Sequence, residues 1–383
     1  MKKHALAVKA ASVLLMILLL TLPGLSVRAL GEGDISSPSA ILMDANSGII
    51  LYEKNIHEQR PCASITKVMT LLLVMEALDS GKIHLDDVVT ASAHAASMGG
   101  SDIWLEEGEQ MTVDEMIKAT AVASANDAAV ALAEFISGTE DDFVRAMNDK
   151  AKSLGMKDTT FMNCNGLDEE GHVTSAYDVA VMSRELIRHP KIFEYTSIWL
   201  DYLRGGETQI VNTNKLLRSY DGITGLKTGT TGDAGSCITA TAERNGLSLI
   251  AVVLGADSGK ERFSDAATLL DYGFANYESA PLKLSERLYP ITVEGGMSDR
   301  VNIVCEDVGF LTLPKGGSEN LKQSLTVKES LTAPVKKGTE VGTLTFSLNG
   351  EELASFAILT DEDVAEKTYG SVFALLWQAL TRL

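Results

Sequence analysis

The sequence has few cysteines for its length. Four cysteines occur among 383 residues, and no two of them form a CxxC pair. A structural zinc site uses ligands paired at short spacing, and a chain of this length builds its core without disulfides. We therefore expect no zinc site built from these cysteines and no need for disulfides, although disulfides would be permitted in an exported protein. The residues predicted to be buried free thiols are Cys62, Cys164, Cys237 and Cys305.

Basic residues are also scarce. Lysine and arginine number 33 against 52 aspartates and glutamates, which gives a formal net charge of -19. Because phosphate binding needs clustered lysine and arginine, this balance excludes nucleic acid as the main partner. With 45% hydrophobic and 22% charged residues, the composition is that of an ordinary globular protein. The length allows about two domains.

Long apolar runs are absent except at the N-terminus. Three lysines precede the uncharged run from Ala10 to Leu22, and small residues follow it. As a helix this run covers about 20 Å, short of the roughly 30 Å hydrocarbon core of a bilayer. The layout predicts a secretory signal over residues 1–29, with a retained anchor as the alternative. The rest of the chain is then expected to work outside the cytoplasm.

The region from 30 to 279 predicts an α/β domain. A helix from Ser64 to Leu78 is apolar on nearly every face, as expected for a helix in the domain centre. Asn245-Gly246 joins two β-compatible runs and is a strong hairpin signal. The other predicted helices cover residues 112–123, 127–135, 139–154 and 260–277. The predicted strands cover residues 40–44, 49–53, 234–244 and 247–254.

The pattern changes near residue 280. Short alternating segments between Gly-rich turns predict a small β-sandwich over residues 280–362. Residues 363–383 end in a predicted amphipathic helix, which is too short to span a bilayer but suited to its surface; docking on the protein itself is the alternative. The apolar face of this helix contains Phe373, Leu376, Trp377, Leu380 and Leu383.

One motif places a hydroxyl beside an amine. In the run CASITK, Ser64 opens the buried helix and Lys67 follows on the same face. A serine is a poor nucleophile until a base takes its proton, and lysine can be that base when burial or a nearby cation lowers its pKa. The helix N-terminus also offers a backbone N–H to an oxyanion. S-x-x-K alone is weak evidence, because a chain of this length contains about one by chance.

Two further motifs follow in order along the chain. The tripeptide Ser124–Asn126 stands between two predicted helices, where a loop can aim both polar side chains into a cleft. The tripeptide Lys227–Gly229 offers an amine and a hydroxyl to a substrate carboxylate, and its glycine leaves room for a substrate backbone along the strand. Ser-x-Asn recurs at Ser318 and Ser347, so only the ordered combination of three motifs discriminates.

The ordered set S-x-x-K, S-x-N and K-T-G is that of β-lactamases and penicillin-binding proteins. Over nearly its whole length the chain also resembles the low-molecular-mass penicillin-binding proteins that are D-alanyl-D-alanine carboxypeptidases, serine peptidase family S11. The likeness rests on ILMDANSGIILYEKN, NGLDEEGHVTSAYDVA, GITGLKTGTT, LIAVVLGADSGKERF, the β-rich tail and the terminal helix. It implies a transpeptidase-like α/β catalytic domain followed by a small β-sandwich.

The resemblance implies a serine carboxypeptidase that acts on peptidoglycan stem peptides and is inhibited covalently by β-lactam antibiotics. Ser64 would attack the carbonyl between the two terminal D-alanines, Lys67 would accept its proton, and Ser124 would relay a proton to the leaving amine. No metal or cofactor takes part. The expected location is the outer face of the cell membrane, reached through the terminal helix.

The resemblance also implies a set of substrate-binding residues. Asn126 would bind the peptide, while Lys227 and Thr228 would hold its terminal carboxylate, strengthened by Arg262. The backbone N–H groups of Ser64 and Thr230 would form the oxyanion hole. Lys67 and Lys227 would lower each other's pKa. The implied substrate-binding residues are Asn126, Lys227, Thr228, Gly229, Thr230 and Arg262.

Three alternatives share these residues. A class A β-lactamase carries the same motifs, but its Glu-x-x-Leu-Asn signature is missing around Glu169 and Glu170. A transpeptidase or endopeptidase would form the same acyl-enzyme with another acceptor or substrate. A non-catalytic wall-binding protein is disfavoured by the intact Ser64 and Lys67. His172, near these glutamates, is expected to be a structural hydrogen-bonding residue rather than a general base.

Overall fold

A computed structural model of the chain describes residues 30–31, 33–305 and 308–381. The predicted signal, residues 1–29, lies outside the described residues. The chain divides after Tyr277 into a larger and a smaller compact unit, close to the boundary expected near residue 280.

The larger unit is built from nine strands and eight helices in its described part. Its strands are β1 Ser39–Asp44, β2 Ile50–Lys54, β3 Val88–Thr90, β4 Gln110–Thr112, β5 Leu200–Leu203, β6 Thr208–Val211, β7 Ile223–Thr231, β8 Gly235–Arg244 and β9 Leu247–Ala256. Its helices are α1 Lys67–Asp79, α2 Ala93–Ala96, α3 Val113–Lys118, α4 Asn126–Ser137, α5 Glu140–Leu154, α6 Ala176–Leu186, α7 Phe193–Thr196 and α8 Gly259–Asn276.

A five-stranded sheet in the order β2-β1-β9-β8-β7 divides the larger unit into layers. Successive side chains of a strand point to opposite faces. In β1, Ile41 and Met43 join the core under helices α1 and α6, while Ala40 and Leu42 join the core under α8. Because both faces are covered, the inner strands β1, β9 and β8 are mostly apolar, and Ser236, Thr239 and Thr241 of β8 are buried with them.

Helix α1 lies in the centre of the larger unit, as its apolar sequence predicts. It packs against α6, α4 and α5, and nine of its 13 residues are buried. The predicted helix 112–123 is helical from Val113 to Ala123 but changes type: α3 ends at Lys118 and continues as the π-helical segment Ala119–Ala123. Helix α6 and the two-stranded sheets β3–β4 and β5–β6 are elements that periodicity did not reveal.

The smaller unit is made mainly of short strands. They are β10 Tyr277–Pro281, β11 Ile291–Glu294, β12 Arg300–Val301, β13 Ile303–Cys305, β14 Phe310–Pro314, β15 Leu321–Val327, β16 Ser330–Thr332, β17 Glu340–Leu348 and β18 Glu351–Thr360. A four-stranded sheet, β13-β18-β17-β15, and a three-stranded sheet, β12-β11-β16, share one core. Val293, Val301, Leu344 and Ile358 are buried between them.

Helix α9, Tyr369–Thr381, closes the described chain. Its aromatic side chains are exposed: Tyr369 by 99%, Phe373 by 67% and Trp377 by 62%. Phe373 and Trp377 stack with their ring centroids 6.4 Å apart. Within the described residues, none of the helices has the length and apolar character needed to cross a bilayer.

Candidate active site

The S-x-x-K segment folds as the turn that leads into α1. Ser64 lies in the 3-10 turn Ala63–Thr66 and is half-buried, whereas Lys67 begins α1 and is fully buried. The preceding Ala63 has a φ of 50°, a left-handed conformation that is strained for a residue with a Cβ and is often found at functional sites. The turn brings Lys67 Nζ to 3.0 Å from Ser64 Oγ.

Lys67 Nζ has three oxygen neighbours. Besides Ser64 Oγ, it lies 2.5 Å from Asn126 Oδ1 and 2.7 Å from the carbonyl oxygen of Asn165. Amide and peptide oxygens can only accept hydrogen bonds. A neutral amine therefore donates its two hydrogens to them and directs its lone pair at the Ser64 hydroxyl. Burial lowers the pKa of Lys67 to about 7, so the neutral form is available near neutral pH.

The S-x-N segment is shaped by a break between two helices. The π segment that follows α3 ends at Ser124, which adopts a left-handed conformation with φ 64° and ψ 27°, and α4 begins at Asn126. Both side chains thereby reach the lysines of the other two motifs. Asn126 contacts Lys67, while Ser124 Oγ accepts a hydrogen bond from Lys227 Nζ at 2.8 Å.

Lys227 is a second buried amine, on strand β7. Its Nζ also donates to the carbonyl oxygen of Thr228 at 3.0 Å. Burial, followed by the charges of Lys67 and Arg262, holds the pKa of Lys227 well below its ordinary value. Burial is the main cause for both lysines. The expectation that the two lysines lower each other's pKa holds for the effect of Lys67 on Lys227, whereas the lowering at Lys67 comes from burial.

The remaining predicted residues lie on β7 or contact it. Thr228 Oγ1 donates to Thr213 Oγ1 at 2.6 Å. Arg262, on α8, donates through Nη1 to the carbonyl oxygen of Gly229 and to Thr230 Oγ1, each at 2.8 Å. The guanidinium group is thus held against the strand that carries the K-T-G motif.

Gly229 lies directly against the nucleophile turn. A Cβ built at this position would be 2.8 Å from both the carbonyl oxygen of Cys62 and the backbone nitrogen of Ser64. Such contacts are far inside van der Waals distance, so only glycine lets strand and turn approach this closely. The backbone N–H of Ser64 therefore lies at the edge of β7.

Two contributions to the site escaped sequence reasoning. The carbonyl of Asn165 contacts Lys67, 98 positions away, and the hydroxyl of Thr213 contacts Thr228, 15 positions away. Asn165 begins the run NGLDEEGH, whose Asn-Gly pair indicates a turn but no partner. A backbone carbonyl is common to every residue type, so no sequence signal marks it.

His172 connects the loop after Asn165 to the nucleophile turn. Its Nε2 lies 2.7 Å from Thr66 Oγ1, and its Nδ1 accepts the backbone N–H of Met162 at 3.1 Å. Burial lowers the pKa of His172 to about 4. With both ring nitrogens engaged, this histidine fits the structural role expected from the sequence. Cys62, Cys164 and Cys237 are buried thiols, also as expected, whereas Cys305 is only partly buried.

The chain matches two family models. The first, described as D-alanyl-D-alanine carboxypeptidase, matches residues 26–258. The second, described as penicillin-binding protein 5, C-terminal domain, matches residues 280–366. Together they cover most of both compact units.

Curated relatives with the same name match this chain over most of their length. D-alanyl-D-alanine carboxypeptidase DacF of Bacillus subtilis is 46% identical over 331 residues, which is 85% of each chain. D-alanyl-D-alanine carboxypeptidase DacC of Escherichia coli is 37% identical and covers 90% of this chain and 89% of its own.

Solved structures that resemble this chain indicate the same family as these relatives. Penicillin-binding protein 5 of Haemophilus influenzae is 33% identical, covers 88% of this chain and all of its own (100%), and superposes with a TM-score of 0.77. The ampicillin-bound form of penicillin-binding protein D2 of Listeria monocytogenes is 34% identical over 64% of this chain and 100% of its own, with a TM-score of 0.59. The fold class and the family expected from the sequence are confirmed. The chain belongs to the S11 family of D-alanyl-D-alanine carboxypeptidases, penicillin-binding serine hydrolases with a C-terminal β domain.

Proposed function

We propose that Ser64 and Lys67 begin the carboxypeptidase reaction of this family by forming an acyl-enzyme. Neutral Lys67 takes the proton of the Ser64 hydroxyl while Oγ attacks the carbonyl between the two terminal D-alanines of a peptidoglycan stem peptide. The observation that carries this step is the environment of Lys67 Nζ. Two carbonyl oxygens take its hydrogens, and the third neighbour, 3.0 Å away, is Ser64 Oγ.

Negative charge develops on the oxygen of the attacked carbonyl. We assign its stabilisation to two backbone donors, the N–H groups of Ser64 and Thr230. The close approach of β7 to the nucleophile turn at Gly229 supports this pairing. Such a donor typically contributes about 3 kcal/mol to the transition state.

The leaving amine needs a proton when the amide bond breaks. This proton is the one that Lys67 took from Ser64, and Ser124 is assigned its relay; Ser124 Oγ is held in place by a hydrogen bond from Lys227 Nζ at 2.8 Å. Asn126 lies beside Lys67 and would hold the peptide backbone. Free D-alanine then leaves. Water hydrolyses the ester, returns the proton to Ser64 and releases the shortened peptide.

Lys227 and Thr228 are assigned to the terminal carboxylate of the substrate. The lowered pKa of Lys227 should rise when an anion enters beside it, because the opposite charge favours the ammonium form. Arg262 supports the same site through its bonds to Gly229 and Thr230. No metal or cofactor is assigned to any step.

A β-lactam is expected to acylate Ser64 as the peptide does. The structure of the Listeria protein D2 with ampicillin shows that a relative binds such a compound. Mass spectrometry of the penicillin-treated protein should show one adduct at Ser64, and the untreated protein should release D-alanine from a diacylated pentapeptide.

The decisive variant is Ser64→Ala. It should lose the adduct and at least about 10³-fold of D-alanine release. Ser153→Ala is the control, because Ser153 is exposed on α5 and hydrogen-bonds only within its own helix. An adduct that persists on Ser64→Ala would refute the assignment.

We also propose that residues 1–29 direct export, that 30–279 and 280–362 are the catalytic and β-rich domains, and that 363–383 attach the protein to the outer face of the membrane. The exposed Tyr369, Phe373 and Trp377 support attachment, since aromatic rings prefer the headgroup region. The acidic run Asp361–Asp363 opposes binding that depends on anionic lipid.

Deletion of residues 368–383 tests the attachment. The full chain should sediment with zwitterionic lipid vesicles and be little affected by salt, and the deleted protein should remain in solution. Tyr289→Ala is the control for loss of an exposed aromatic ring, because Tyr289 is 70% exposed elsewhere in the smaller unit. Equal sedimentation with and without the helix would contradict the proposal.

A further inference from the structure

A segment beside the candidate site is held rigidly by the S-x-N region. Asn126 Nδ2 donates to the carbonyl oxygen of Gly99, and the backbone N–H of Asn126 donates to the carbonyl oxygen of Ser101, both at 2.6 Å. The buried carboxylate of Asp127 accepts the backbone N–H groups of Ile103 at 3.1 Å and Leu105 at 3.0 Å. The wall of the site therefore continues into this segment with a defined backbone.

Trp104 stands between these two anchored residues and faces solvent. Its side chain is 80% exposed, although its neighbours Ile103 and Leu105 are buried. Its φ of 55° is left-handed, an uncommon conformation for a bulky residue and costly by about 1–3 kcal/mol. A strained, exposed tryptophan contributes little to packing, which points to a use outside the protein.

A groove of about 640 Å³ opens next to Trp104. It is lined by Ile103, Trp104, Glu106, Glu109, Arg204 and Thr208. Arg204 Nε donates to Glu109 Oε1 at 2.6 Å, and Arg204 Nη1 donates to Thr208 Oγ1 at 3.0 Å. These bonds hold the polar side chains that line the groove in fixed positions.

The charges of the groove limit the class of ligand. Arg204 compensates Glu109, while Glu106 and Glu107 remain exposed at the rim. Carboxylates repel an anionic ligand and accept hydrogen bonds from hydroxyl and amide groups. An aromatic face beside such acceptors suits a flat, neutral ring that is apolar on its faces and rich in donors at its edge. A pyranose sugar has this character.

We propose that this groove binds the glycan to which the stem peptide is attached, with a sugar ring stacked on Trp104. The inference rests on the proposed function, because the peptide must reach Ser64 while its glycan lies in the groove. Ser101, which bonds to Asn126, is three residues before Trp104, so their Cα atoms are at most about 11 Å apart. The groove is therefore adjacent to the substrate site.

The test compares D-alanine release from a free pentapeptide and from the same pentapeptide attached to its disaccharide. Trp104→Ala should lower kcat/KM about tenfold for the glycan-bearing substrate and leave the free pentapeptide within about twofold. Trp104→Phe should recover most of the loss. Tyr289→Ala, an exposed aromatic in the other unit, should change neither value.

Two further measurements separate the possible failures. Because Trp104 is exposed and strained, Trp104→Ala should melt no lower than the unaltered protein. The soluble disaccharide should quench tryptophan fluorescence, and this effect should disappear in Trp104→Phe. Equal losses on both substrates, or no loss on the glycan-bearing one, would overturn the groove assignment. If the unaltered protein releases no D-alanine from either substrate, the proposed function fails, and the fluorescence titration still decides glycan binding.

Discussion

At the scale of single residues, the chemistry depends on how many hydrogens Lys67 carries. An ammonium group has three donors and would give one to Ser64 Oγ, which leaves no lone pair to accept a proton. The neutral amine has two, and Asn126 and Asn165 accept both. In the proposed mechanism, protonation of Lys67 would therefore switch the serine from activated to inactive without any movement of heavy atoms.

This switch predicts a pH dependence. Below a pKa of about 7 Lys67 is protonated and acylation should slow about tenfold per pH unit; above it the rate should level off. The measurement is the second-order rate of Ser64 acylation by a chromogenic cephalosporin from about pH 5 to about pH 9. Lys67→Arg should be inactive throughout, because guanidinium keeps its proton. A rate that is constant or falls across this range would contradict the role of Lys67 as base.

At the scale of elements, the site lies where the edge of a strand meets a turn. Strand β7 supplies Lys227 and Thr228, and the 3-10 turn supplies Ser64. Their separation is set by Gly229, whose missing side chain leaves space for the carbonyl of Cys62 and the N–H of Ser64.

Gly229→Ala should therefore move the strand from the turn and disturb the oxyanion donors. We expect a loss of about 10²–10³ in kcat, as for removal of one such donor. Acylation kinetics measure the loss, and circular dichroism checks that the fold is kept. Gly232→Ala is the matched control, because a Cβ there meets no atom within 4 Å. Similar activity of the two variants would show that close approach at Gly229 is unimportant.

At the scale of the whole molecule, the two compact units have separate hydrophobic cores. The residues assigned to catalysis and substrate binding all belong to the larger unit, whose core surrounds α1. The smaller unit has its own core around Val293 and Leu344. A ligand stabilises only the folding unit that binds it.

Calorimetry of the full chain should show two unfolding transitions, of which benzylpenicillin raises only one. The shifted transition should be the one with the larger enthalpy, because unfolding enthalpy grows with the number of residues. Ser64→Ala should show no shift with the same compound. If both transitions moved together, the units would unfold as one cooperative body, contrary to this prediction.

Several features followed from local sequence alone. The buried helix α1, the Asn245-Gly246 hairpin and the start of α5 at Thr139 depend on neighbouring residues, so their patterns could be interpreted directly. The three ordered motifs identified the family before any geometry was known. Local chemistry determined which side chains are able to react.

The tertiary structure decided how those side chains are used. The contact of Lys67 with Asn165 and that of Ser124 with Lys227 join groups 98 and 103 positions apart. The π segment before Ser124, the exposed ring of Trp104 and the burial that lowers the pKa of Lys67 likewise depend on surrounding elements. Desolvation and hydrogen bonding between distant residues arise only when the chain has folded, and peptide carbonyls are alike at every position. For this reason, the sequence identified the reactive groups, and only the fold determined their protonation and orientation.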